Sequence, residues 1–164
     1  MPSTYEPIAT TTLGSSATSI NFTSIPSTYT DLVLVAVPLR TTGGEEMVMQ
    51  FNNDTAGPYS STILWGDGST AGSYRATNQN SIILNYYASV STTPTTQIFN
   101  IMNYANTTTN KTVVGRAGRS DSGVDATVGR YPSTSAITSM QLKLKNGGNF
   151  VSGSSFTLYG IKAA

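Results

Sequence analysis

The sequence lacks both cysteine and histidine, and the two absences exclude several classes of function. Without cysteine there is no disulfide framework, no thiolate metal site and no thiol nucleophile. Without histidine there is no Ser-His-Asp triad, no imidazole ligand for zinc and no imidazole base. Together they predict a redox-insensitive chain that lacks the usual groups for acid–base catalysis.

Charge and long apolar runs are also scarce. Charged residues make up 10% of the 164 residues, against roughly 25% in an average soluble domain. The net charge of +1 predicts no strong attraction to nucleic acid or to a membrane surface. The longest apolar run, Leu32 to Val37, is far shorter than the roughly 20 residues of a membrane helix. The first twenty residues lack the pattern of a signal peptide. We therefore expect neither a nucleic-acid partner nor membrane insertion.

The chain is instead rich in hydroxyl groups and in residues that favour strands. It contains 26 Thr, 21 Ser and nine Tyr, and its apolar residues recur with a period of two. In Met140–Lys145, for example, three apolar residues alternate with three polar ones. Leu32–Val37 is apolar at every position, which predicts a central strand covered on both sides and ended by Pro38.

About ten short strands separated by turn residues predict one all-β domain over residues 1–164, an antiparallel β-sandwich of jelly-roll type. Besides the three segments Ile20–Phe22, Leu32–Val37 and Met47–Phe51 and the strand that begins at Met140, we predict strands at Tyr5–Leu13, Ser60–Trp65, Ser81–Tyr87, Gln97–Tyr104, Lys111–Arg119, Ala126–Tyr131 and Ser155–Lys162.

The predicted core consists of apolar residues on the inner side of these strands. They are Ile20, Phe22, Leu32, Leu34, Met49, Phe51, Ile101, Met140, Leu142, Leu144, Phe156 and Leu158.

Catalysis and metal binding find little support in the carboxylates. Only eight are present, and the sole adjacent pair, Glu45-Glu46, is interpreted as a solvated turn after Gly43-Gly44. A glycosidase-like pair of distant residues, such as Asp67 with Asp121, stays open but no spacing supports it. We predict no catalytic residue.

Two oxygen-rich segments, Asn52–Thr55 and Asp121–Asp125, are of the kind that calcium accepts. Such residues are also the commonest turn formers, and we favour turns. We therefore predict no metal-ligating and no cofactor-binding residue, although calcium in these loops stays open.

Aromatic and basic residues suggest two binding hypotheses. An exposed group of aromatic side chains would stack on a glycan, but we favour ordinary packing. The residues concerned are Trp65, Tyr59, Tyr74, Tyr86, Tyr87 and Tyr131. The basic residues Lys111, Arg116, Arg119 and Arg130 are too sparse for a nucleic-acid site.

Charge is distributed unevenly along the chain. Residues 1–82 hold six acidic and two basic residues, a charge of −4, whereas residues 83–164 hold two acidic and seven basic residues, a charge of +5. This asymmetry would give complementary patches on neighbouring copies. A scatter of solvated charges is the simpler interpretation.

Several segments resemble small virion structural proteins of tailed phages, notably cyanophages and other marine phages. The resemblance lies in the opening Tyr5–Thr10, in Ile20–Leu32, in Phe51-Asn52 with Tyr59–Ser61, in Asn103–Asn106 leading to Lys111-Thr112, and in Gly148–Phe150 followed by Phe156–Ile161. It covers nearly the whole chain, and the closing segment is its most specific part. The resemblance implies a β-sandwich on the particle exterior without catalytic residues.

Three functions follow as hypotheses. The first is a capsid decoration (cement) protein on the virion exterior, a homotrimer bound to another virion protein, the major capsid protein. The alternative is a tail or fibre component that binds a host surface glycan. The third, an enzyme such as a glycan depolymerase, is disfavoured because acid–base groups are so few.

Overall fold

A computed structural model describes residues 4–162 of the chain, and this part forms twelve β-strands. The strands, in chain order, are β1 (Tyr5–Thr12), β2 (Ser19–Phe22), β3 (Asp31–Val37), β4 (Met47–Phe51), β5 (Tyr59–Gly66), β6 (Ala71–Gln79), β7 (Ile82–Ile83), β8 (Thr95–Met102), β9 (Lys111–Arg119), β10 (Val124–Tyr131), β11 (Met140–Leu144) and β12 (Ser155–Ile161). No helix long and apolar enough to cross a membrane occurs among residues 4–162.

The strands make two antiparallel sheets of unequal size. The large sheet has eight strands in the order β1-β12-β3-β8-β9-β10-β5-β6, and the small sheet has four in the order β2-β11-β4-β7. The prediction of an all-β antiparallel sandwich is confirmed, and the arrangement is consistent with a jelly-roll-like fold. β3 lies between β12 and β8, as its apolar sequence predicts, and it ends directly before Pro38.

The main core fills the space between the two sheets. It joins residues of the small sheet, such as Phe22 and Met49, to residues of the large sheet, such as Leu34 and Phe99. All twelve residues predicted for the core are buried. The alternation of apolar and polar residues therefore identified the inner side of these strands correctly.

A second, smaller core lies at one end of the molecule. Val48 of β4 and Ile83 of β7 are paired, and both pack against Ile63 of β5 and Ala76 of β6. The β5–β6 end of the large sheet thus covers the side of β4 that faces away from the main core. This explains why every residue of β4 is buried.

The strand predictions were wrong in two places. β6 was not predicted because its sequence has no apolar alternation, and it lies at the edge of the large sheet with a bulge opposite Tyr59–Ser61. Conversely, the segment 81–87 was predicted as one strand, but only Ile82–Ile83 pair in a sheet. The apolar residues that follow are buried in a loop instead, whose backbone is bound by side chains described below.

Candidate interaction surface

The outer face of the large sheet carries exposed aliphatic side chains. Leu64 of β5 and Val124 of β10 are each 60% exposed, Val128 of β10 is 52% exposed and Val114 of β9 is 46% exposed. Their sequence neighbours point into the core, because successive residues of a strand face opposite sides. Aliphatic residues on both sides of a strand are unusual in a sheet that faces water on one side.

Strand register brings these side chains together. Val114 lies directly opposite Val128 across the β9–β10 pair, and Leu64 lies opposite Ala126 across the β5–β10 pair. The next strand adds the half-buried Ile98 opposite Arg116. A shallow depression of about 400 Å³ lies on this face, lined in part by Ile98, Val114 and Ala126. We call this surface of β5, β8, β9 and β10 the outer face.

Three arginines lie on or beside the outer face. Arg116 belongs to β9, Arg130 to β10 and Arg75 to β6, where Arg75 pairs with the outward-facing Thr62. All three are exposed, and none has a hydrogen-bond or ion-pair partner within residues 4–162. The outer face is therefore both aliphatic and positively charged.

The carboxylates, by contrast, are all engaged within the chain. Three are held by basic side chains at close range: Glu45 by Arg40 (2.8 Å), Glu6 by Lys162 (2.8 Å) and Asp121 by Arg119 (2.6 Å). Glu46 pairs with Lys145 at 3.6 Å. The remaining four, Asp31, Asp54, Asp67 and Asp125, accept hydrogen bonds from backbone N–H groups.

The interpretation of Glu45-Glu46 as a solvated turn was wrong for Glu45. Glu45 is only 6% exposed, and besides its ion pair with Arg40 it accepts a hydrogen bond from the backbone N–H of Asn146. Its backbone also pairs with Val90. Sequence spacing gave no sign of this, because Arg40, Val90 and Asn146 come from separate parts of the chain.

The two oxygen-rich segments form hydrogen-bonded turns. Asp54 accepts from the N–H groups of Ala56 and Gly57, which lower the pKa of its carboxyl, and Asn52 accepts from Thr138. Asp121 is bound by Arg119 and by the hydroxyl of Thr93, and the Thr93 hydrogen bond is the main reason that its pKa is lowered. Among residues 4–162, no three acidic side chains gather as metal ligands would.

Asp125 binds the backbone of the loop that follows β7. It is 3% exposed, and its two carboxylate oxygens accept hydrogen bonds from the backbone N–H groups of Tyr86, Tyr87 and Ala88. These bonds replace sheet pairing in the loop that follows β7. They also place the two tyrosines of this loop beside the β5–β6 hairpin.

The six aromatic residues of the glycan hypothesis separate into two groups. Tyr59 and Tyr131 are buried and stack on each other with ring centroids 4.8 Å apart. Burial raises the pKa of both phenols. These two residues belong to the core, as the packing interpretation predicts.

The other four aromatic residues cluster near the surface. Trp65 stacks on Tyr87 at 4.7 Å and packs over Gly72, so its ring is engaged by the protein itself. Tyr74 stacks on Tyr86 at 4.5 Å, and the Tyr87 hydroxyl donates to Asp67 at 3.0 Å. Of the four, Tyr86 is the most exposed, at 38%.

An open groove of about 420 Å³ runs beside this cluster. It is lined by Tyr86, Tyr87, Ser89, Arg119 and other residues. Arg119 is held by the carbonyl of Ser89 and by Asp121, so its guanidinium is already paired. Asp67 and Asp121 bind different partners, and nothing in the geometry makes them a catalytic pair.

The basic residues singled out from the sequence serve different purposes. Lys111 is fully buried, and its ammonium donates to the carbonyls of Thr109 (2.7 Å) and Thr134 (3.2 Å). Burial lowers the pKa of Lys111. Arg119 is paired with Asp121, whereas Arg116 and Arg130 on the outer face have no ion-pair partner in the part of the chain that the structure describes. These four residues therefore do not form one basic site.

Comparison with known proteins adds no family. No protein-family model matches the chain, and no curated protein sequence is significantly similar to it.

Proposed function

We propose that this chain is a structural protein of a tailed-phage particle, and specifically a capsid decoration protein on the particle exterior. The outer face of the large sheet is the observation that carries the proposal, since exposed aliphatic side chains gathered on one face mark an interaction site. The sequence resemblance described above and the all-β fold support it. No enzymatic activity is part of the proposal.

Within this proposal the major capsid protein is the partner, and the decoration protein assembles as a homotrimer. The nine-residue edge strand β6 supports contacts between copies, because it pairs only with β5 within residues 4–162. An unpaired strand edge is a ready site for pairing with another chain. The internal engagement of the carboxylates makes charge pairing between copies a minor contribution.

The proposal is tested by adding the purified protein to undecorated shells of the source phage. We expect saturable binding, with density for the chain on the outer surface of the shell in an electron cryomicroscopy map. Light scattering of the free protein should give the mass of three copies. Density confined to the tail, or no binding to the shell, would contradict the decoration role.

A tail or fibre component that binds a host glycan is the second candidate. The groove beside Tyr86 is the observation that favours it, because an exposed aromatic ring with polar neighbours suits a sugar. A glycan array tests this candidate directly. Binding that is lost in Tyr86→Ala but kept in Tyr5→Ala, an exposed tyrosine at the other edge of the sheet, would favour the fibre role.

A further inference from the structure

We propose that the outer face docks on an acidic protein surface of a different chain, and that Arg75, Arg116 and Arg130 make the ion pairs of that contact. The inference rests on the proposed function, because it takes the shell protein as the partner. It specifies the chemistry of the partner's surface, namely carboxylates arranged around an apolar centre.

The positions of the three arginines fit such a contact. Register places Arg116 and Arg130 on adjacent strands, with Val114 and Val128 in the row of residues between them. Arg75 extends that same row on the far side of Thr62. With about 4.8 Å between strands and about 6.8 Å between residues on one face, the arginines are spaced by roughly 12–16 Å. Val128 thus lies between the three guanidiniums and Val114 lies beside Arg116 on β9, and none of the three guanidiniums has a partner within residues 4–162. The surface is therefore aliphatic with charged groups at its rim.

The charges of the chain indicate that the partner is not another copy. Every carboxylate side chain is engaged internally, by a basic side chain or by hydrogen-bond donors. A second copy therefore presents no unpaired carboxylate side chain from residues 4–162 to the outer face. The three arginines, in contrast, have no partner within residues 4–162. Charge complementarity therefore favours carboxylates supplied by a different protein.

Nucleic acid fits this surface less well. The side chains among the arginines are Thr62, Val114, Ala126 and Val128, which have no ring, and the depression on this face is lined by one aromatic residue, Tyr5. A single ring is a poor platform for stacking successive bases. Three cations spread over an aliphatic surface also give a weak phosphate-binding site. A carboxylate-bearing protein surface satisfies both the aliphatic centre and the guanidiniums, which bind carboxylates in bidentate geometry.

The test compares the native protein with a triple variant, Arg75→Gln/Arg116→Gln/Arg130→Gln. Lys143→Gln is the matched control, because Lys143 lies in β11 of the small sheet, and it too has no ion-pair partner within residues 4–162. Binding is measured to undecorated shells, to poly-L-glutamate and to duplex DNA at several salt concentrations. All substituted residues except the half-buried Lys143 are exposed, and circular dichroism and the thermal midpoint verify folding.

We expect the triple variant to bind shells at least about tenfold more weakly at low salt, and the control to bind within about twofold of the native protein. The difference should shrink as salt increases. Salt-dependent binding to poly-L-glutamate that is lost in the triple variant would support the inference, even if the native protein does not bind shells. A failure to bind shells would contradict only the decoration role.

Two results would overturn the inference. If the triple variant binds shells as tightly as the native protein, the arginines do not contact an acidic partner. This result would contradict the inference but not the decoration role. Binding to duplex DNA in preference to shells and poly-L-glutamate, or self-association that the triple variant abolishes, would assign the outer face to nucleic acid or to a second copy.

Discussion

Gln97 is the most unusual residue of the interior. It lies on β8 between Ala36 and Ala117, it is fully buried, and neither atom of its side-chain amide has a hydrogen-bond partner within residues 4–162. A buried amide without partners costs free energy, because it has lost its hydrogen bonds to water. Gln97 therefore weakens the core in which it lies.

Replacing Gln97 with Met should raise the free energy of unfolding by about 1–2 kcal/mol, because the substitution keeps the volume and removes the unpaired amide. Urea denaturation measures the change. Gln141→Met is the control, since the Gln141 amide is half-buried and donates to Asn21 at 2.9 Å. If Gln97→Met instead destabilises the protein, the amide must have partners, such as an internal water.

Leu142 and Leu64 test the two sides of the strands at the level of single side chains. Leu142 is fully buried between the sheets, so Leu142→Ala should cost about 2–5 kcal/mol. Leu64 is 60% exposed on the outer face, so Leu64→Ala should cost less than about 0.5 kcal/mol. Denaturation of both variants is the measurement. Equal costs would show that Leu64 is covered in the isolated protein.

At the scale of the element, the pairing of β8 with β9 depends on close approach of a side chain to the backbone. Gly115 lies opposite Phe99 of β8, and a Cβ at this position would overlap the Phe99 ring. The ring therefore packs directly on the backbone of β9. A Cβ added to Gly118 of the same strand would meet only Val124 within 4 Å, at a distance of 3.8 Å.

Gly115→Ala should consequently destabilise the protein by about 1–3 kcal/mol, since the Phe99 ring must leave its rotamer or the strands must separate. Gly118→Ala, which adds the same methyl group to the same strand, should change stability by less than about 0.5 kcal/mol. Thermal unfolding followed by circular dichroism distinguishes the two variants. A harmless Gly115→Ala would mean that the main core accommodates a shift of Phe99.

At the scale of the whole molecule, the response to pH follows from the ionisable groups present. Hydrogen bonds from backbone N–H groups hold the pKa of Asp54 and Asp67 below the ordinary value of 3.8, and the hydroxyl of Thr93 and the guanidinium of Arg119 do the same for Asp121. A lowered folded-state pKa gives stability that is present above the unfolded-state pKa and lost as the pH falls below it. Burial raises the pKa of Tyr59, so its contribution to stability is present below pH 10.0 and lost at higher pH.

We therefore expect the thermal midpoint to be constant between about pH 5 and pH 9, because no histidine titrates in this range. It should fall below about pH 4 and again above about pH 10. Calorimetry or circular dichroism over this range provides the measurement. A steep change between pH 6 and pH 8 would contradict the expectation, since no side chain of ordinary pKa is present to cause it.

The unequal sizes of the two sheets also determine which surface is available for binding. The small sheet packs against one side of the large sheet. On the opposite side of the large sheet, Val33 of β3 is only 2% exposed, whereas Leu64 and Val124 are each 60% exposed. The aliphatic residues of β5, β9 and β10 remain exposed there. The proposed docking surface is thus a consequence of how the strands are divided between the sheets.

The sequence by itself determined the strand content and the inner side of most strands. In Met140–Leu144 and Met47–Phe51, the apolar residues identify the core side because side chains alternate strictly along a strand. The all-β class and the twelve core residues were accessible for the same reason. β6 was missed because both of its sides are mostly polar and its place at a sheet edge depends on pairing with β5.

Only the tertiary structure decided which remaining residues meet. Adjacent aliphatic residues such as Ile63-Leu64 and Val113-Val114 place apolar side chains on both sides of β5 and β9, but the sequence does not tell which of those sides receives a second layer. The burial of Glu45 against Arg40 likewise depends on loops brought together from separate parts of the chain. Alternation is a local property of the backbone, whereas strand order and the covering of each face follow from pairings between distant segments, and no local pattern encodes these.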